Sequence, residues 1–170
     1  MKRVVLILVL FAACVSLRAQ TRSYSDNATS TFVVGLQSYF FGDNGTLGVT
    51  IGGRSASVRL GEGSVWVDGA LLEEGGGETL VGTNDFTGDK QPELLGARRE
   101  DGRISAKIYR LSGKDWLCIG NVGAGGAGVR DIRVFRQAMT IRNYDSGVLY
   151  TWTWRGGHFD FKSSDGSPEP

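Results

Sequence analysis

Histidine, cysteine and proline are nearly missing from this chain of 170 residues, which contains one, two and three of them. With His158 as the sole imidazole, a Ser-His-Asp or Cys-His arrangement would rest on a single ring beside a hairpin tip. Neither His-Glu-x-x-His, Gly-x-Ser-x-Gly nor a paired-cysteine spacing occurs, so no zinc site is indicated and no catalytic residue is assigned. A disulfide framework is also excluded. Cys14 lies in a leader-like segment, which leaves Cys118, in "DWLCIG", without an internal partner. Its neighbours Leu117 and Ile119 suit a small buried hydrophobe better than a reactive thiol. Apolar residues at helical spacing are lacking after residue 20, so no helix is expected there.

The one long apolar run, Val4 to Ala13, follows Lys2 and Arg3 and is too short to span a bilayer as a helix. Residues 1–20 therefore read as an export signal. "FAAC" also resembles a bacterial lipobox, in which case Cys14 would carry a lipid anchor. The mature chain is expected to be periplasmic or secreted, without a transmembrane segment. Loss of Lys2, Arg3 and Arg18 with the leader takes the net charge from +1 to −2, which disfavours nucleic acid as a partner. A protein or glycan of the envelope or exterior fits better.

Glycine is plentiful, at 26 residues, and apolar side chains alternate with polar ones. This predicts an all-β fold, an antiparallel meander forming a small sandwich, barrel or propeller-like sheets. Residues 21–30 read as a flexible segment, 31–162 as a single domain and 163–170 as a disordered tail. Asp101-Gly102 between "ELLGARR" and "RISAKIYRL" suits a two-residue hairpin turn. Gly156-Gly157 does the same before "HFDFK", bringing Trp152 and Trp154 beside Phe159 and Phe161. Charge is split along the chain: residues 61–101 carry a net −7 and residues 102–162 a net +6. The halves could complement each other, or Arg130, Arg133, Arg136 and Arg142 could form an exposed face for anionic glycan or lipid.

The stretch "NDFTGDKQPELLGARRE" concentrates the chemistry. Asp85, Thr87 and Asp89 alternate, Gln91 offers a carbonyl, and Glu93 stands where a closing carboxylate would. Calcium takes about six to eight oxygens, and such a ladder converges them from one side. The segment resembles the Asp-rich loop of FG-GAP, or VCBS, repeats: Asp85, Gly88, Asp89, Pro92, Glu93 and Leu94 fall in register, and the likeness covers about residues 81–120. It implies a calcium loop leading into a hairpin. Thr87 and Lys90 depart from the pattern, Lys90 replacing a glycine and placing a cation beside the site. The loop could hold calcium, could be closed by Asx-type hydrogen bonds alone, or could use Lys90 in the ion's place. One copy cannot build a propeller.

Tyr150, Trp152 and Trp154 share a strand face that could stack on sugars or form core. "GAGGAG" matches a dinucleotide fingerprint in letter only, since a strand pattern follows where a helix should begin. Glu62, Glu73, Glu74 and Glu78 could supply a carboxylate pair to a glycan hydrolase. The residues together point to an exported noncatalytic interaction protein, with a small secreted hydrolase and a purely structural envelope component as alternatives.

Overall fold

A computed structural model describes residues 32–41, 45–51, 54–61, 64–73 and 77–170. The expected leader with Cys14, the segment 21–30, Glu62 and Glu74 lie outside the described residues. Among the described residues there are fourteen strands and no helix, so the fold is all-β. None of those residues forms a helix long and apolar enough to cross a membrane.

Three successive antiparallel meanders of four strands make up the body. The first comprises β3 (Gly45–Ile51), β4 (Arg54–Gly61), β5 (Ser64–Val67) and β6 (Ala70–Glu73). The second comprises β7 (Glu78–Asn84), β8 (Glu93–Glu100), β9 (Arg103–Ser112) and β10 (Asp115–Gly125). The third comprises β11 (Val129–Phe135), β12 (Ala138–Asn143), β13 (Leu149–Arg155) and β14 (His158–Ser163). Two short N-terminal strands complete the outer sheet and the middle one: β1 (Val33–Val34) pairs in parallel with β11, and β2 (Ser38–Phe41) pairs antiparallel with β7. The chain crosses between sheets at Gly35, whose φ is 97° and where a Cβ would collide with the Val134 carbonyl oxygen, so only glycine fits.

Alternation in sequence becomes layering in space. In β9, Ile104, Ala106 and Ile108 point to the third meander and are fully buried there with Leu80, Leu95 and Ala97. Facing them are Ile132, Val134, Met139, Ile141 and Trp152, while Phe32 and Leu36 close the same core. Among the described residues, the opposite face of the middle sheet is covered at one end, where Val81, Leu94 and Tyr109 meet Ala56, Val58, Val65 and Val67 of the first meander. The result is a sandwich-like stack with the second meander as its middle layer.

Trp152 is 1% exposed and lies 5.3 Å from Phe161, while Trp154 meets Phe159 edge-on at 4.9 Å. This is the expected cluster across the last hairpin, and the register pairs Trp152 with Phe161 and Trp154 with Phe159. Each such pair adds about 0.5–1.5 kcal/mol beyond simple burial. Asp101 and Gly102 take φ of 48° and 72°, the left-handed pair a tight hairpin requires.

The sequence reading misses β2 and β6, whose "SYFF" and "ALLE" carry no clear alternation. One further expectation, a buried Cys118, is corrected. Cys118 is exposed on the outermost strand of the middle sheet, at a bulge between Cys118 and Gly120, because the irregularity turns its side chain off the covered face. Toward the C-terminal end, Ser163 is buried and donates to the Ser167 carbonyl, and Glu169 accepts the Trp152 indole N–H at 2.7 Å. An indole N–H in the core needs an acceptor, and the tail brings one.

Candidate functional site

Two places gather polar side chains. The first is the loop between β7 and β8. Asp85, Thr87 and Glu93 are buried, and Phe86 between them is anchored in the core. Glu93 is 1% exposed and fully engaged. Its Oε2 accepts the amides of Phe86 (2.8 Å) and Thr87 (3.3 Å), and its Oε1 accepts the Thr87 hydroxyl (2.9 Å) and the Arg110 Nη2 (3.1 Å). Asp85 accepts the amides of Gly88 (2.7 Å) and Lys90 (3.2 Å), and Arg136 Nε lies 3.1 Å from its Oδ2. Asp89 accepts the Gln91 amide (2.9 Å) and the Arg110 Nη2 (3.1 Å).

A neighbouring turn finishes the enclosure. Arg136 donates to the Gly88 carbonyl at 2.8 Å and Gln137 to the Thr87 carbonyl at 3.1 Å. Gln137 and Lys90 both take left-handed backbone conformations, with φ of 64° and 70°. Thus Asp85, Thr87, Asp89 and Glu93 do come together, whereas Gln91 is exposed at the rim. They converge on chain donors and guanidinium groups, and among the described residues no three acidic, histidine or cysteine side chains are arranged as a metal-binding set.

The second place is a trough of about 550 Å³ on the outer face of the middle sheet, beyond the end where the described residues of the first meander cover it. Cross-strand pairing explains its lining. Thr79, Arg98 and Ser105 form one row, Gly96, Lys107 and Asn121 the next, and Glu100 with Arg103 the third. Gly96 and Ser105 keep the floor low, while Arg98, Arg103 and Lys107 raise walls that are mainly cationic, with Glu100 and Asp101 among them. Arg98 lies 3.9 Å from Glu100. These basic residues are the outward half of the alternation whose inward half is Ile104, Ala106 and Ile108. That alternation was the available signal, but it does not say how far a neighbouring layer extends.

The face expected from Arg130, Arg133 and Arg136 is dispersed. Arg130 packs over the Tyr144 ring, and Arg133 lies 3.6 Å from Asp131. A hydrogen bond with Tyr144, reinforced by the Asp131 charge, holds the Arg133 guanidinium above its ordinary pKa. Arg136 turns away to the acidic loop. Arg133 and Arg142 line a smaller hollow of about 300 Å³. Tyr150, Trp152 and Trp154 point inward, Trp152 as core and the other two partly buried, so they offer no open stacking platform. Glu78 is paired with Arg99, and His158 sits at the exposed hairpin tip, 2.7 Å from Asp160. "GAGGAG" ends β10 and turns directly into β11, with no helix following.

No protein-family model, curated protein or solved structure matches this chain.

Proposed function

We propose that the protein is an exported, noncatalytic β-domain interaction module of the bacterial envelope or exterior, and that its trough binds an acidic glycan. The observation that carries this reading is the grouping of Arg98, Arg103 and Lys107 around Thr79, Ser105 and Asn121, three cations against the Glu100 and Asp101 carboxylates that also line the trough. Guanidinium groups suit carboxylates because their parallel N–H donors match the two oxygens, and lysine adds a mobile positive charge. Hydroxyl and amide groups between them supply the hydrogen bonds that sugar hydroxyls require. A floor of glycine and serine lets a chain of rings lie close to the sheet. Export is supported by Lys2 and Arg3 ahead of the apolar run to Ala13.

The test is a titration of the ¹⁵N-labelled mature chain with a uronic-acid oligosaccharide, and with a neutral oligosaccharide of equal length as control. Amide shifts should gather at Gly96, Ser105, Lys107 and Asn121, weaken with added salt, and vanish in Arg103→Glu/Lys107→Glu. An unchanged spectrum at millimolar sugar, or shifts centred on Arg133 and Arg142, would remove the trough from consideration.

A further inference from the structure

We infer that the guanidinium groups of Arg110 and Arg136 do the work a calcium ion would do in the β7–β8 loop, so that the loop is closed without metal. The loop resembles one built to place carboxylates around calcium, and here Asp89 and Glu93 meet at one guanidinium nitrogen, with Asp85 on the same loop. Like charges at such range need a cation among them. A calcium ion would need free carboxylate oxygens directed at one point. That condition is not met. Both oxygens of Glu93 and both of Asp85 are engaged by donors of the chain itself.

Arg110 supplies the bridging that a divalent ion would otherwise give. Its Nη2 lies 3.1 Å from both Asp89 and Glu93, and its Nε lies 3.3 Å from Glu93. Its place is fixed by the sheet, because the Leu94–Tyr109 pairing sets Glu93 beside Arg110, and the guanidinium also lies 5.9 Å from the centre of the Trp154 ring. Arg136 neutralises Asp85 from the other side while donating to the Gly88 carbonyl. Lys90, the cation that the loop's own sequence offers, contributes its backbone amide to Asp85. The two neutralising charges come instead from β9 and the β11–β12 turn, so the loop ties the second meander to the third.

Thermal melts of the mature protein in millimolar calcium and in chelator test this. The wild type should melt at the same temperature, within about a degree, in both. Arg110→Gln should melt several degrees lower, roughly the shift that a few kcal/mol gives in a domain of this size. That loss should shrink in a Glu93→Gln background, where no buried charge is left to neutralise. If Arg110→Gln fails to fold, Arg110→Lys and Arg136→Gln take its place, with the lysine variant expected to regain part of the loss. A wild-type melt that rises in calcium, or an Arg110→Gln protein as stable as wild type, would overturn the inference. Neither measurement involves glycan binding, so the trough and the loop stand or fall separately.

Discussion

The inner face of the middle sheet has an arginine–glutamate pair near each end, and the two pairs are not equivalent. At one end Arg99 meets Glu78 directly across the β7–β8 ladder, with both side chains more than a third exposed. At the other, Arg110 meets Glu93, whose side chain is 1% exposed and receives two backbone amides and a hydroxyl besides. The chemistry is the same and the surroundings differ. Water solvates the first pair whether or not it forms, so its net worth is small. At the second, Arg110 is 38% exposed, much as Arg99 is, but water is excluded from the carboxylate, which is tolerable only because its oxygens are filled by donors. Burial turns an ordinary ion pair into an obligatory one.

The contrast can be broken by mutation. Glu93→Ala should have the largest effect, a loss of about 3–5 kcal/mol in urea denaturation, because it strands the Phe86 and Thr87 amides and leaves Arg110 without its buried partner. Thr87→Val removes one buried hydroxyl donor and keeps the charges, and should cost about 1–2 kcal/mol. Glu78→Ala should cost less than about 1 kcal/mol, and that little should disappear in high salt. Equal losses for Glu78→Ala and Glu93→Ala would mean that exposure is not what separates the two ends.

Much of the fold is legible in the sequence, and the unreadable parts share a cause. Asp101-Gly102 announces its hairpin because few residues accept the left-handed backbone there, and that hairpin sets Ile104, Ala106 and Ile108 on one face. The pairing of Trp152 with Phe161 follows from Gly156-Gly157 in the same way. Local chemistry fixes such features. The partners of the acidic loop do not follow from local chemistry: Asp85, Asp89 and Glu93 are conspicuous, yet Arg110 reaches them only through the register of β8 on β9, and Arg136 only through packing of the third meander. Sequence proximity pointed to Lys90 instead. The trough is hidden for a related reason, since the outward-facing Arg103, Ser105 and Lys107 look like any solvated strand edge until the extent of the first meander is known. "ALLE" and "SYFF" escape notice because alternation is faint where a strand is only four residues long.

The crossing at Gly35 also orders events in time. Each four-stranded meander can close from hairpins between neighbours, with short loops and a small entropic cost. β1 has no such neighbour: Val33 pairs with Ile132, about a hundred residues further along, and the closure cost grows with that separation. Among the described residues its partner in the ladder is β11, so β1 joins its sheet when the third meander is present. Phe32 and Leu36, which seal the main core, must wait with it. The first of the described strands is therefore held in reserve until the last of the three meanders is in place.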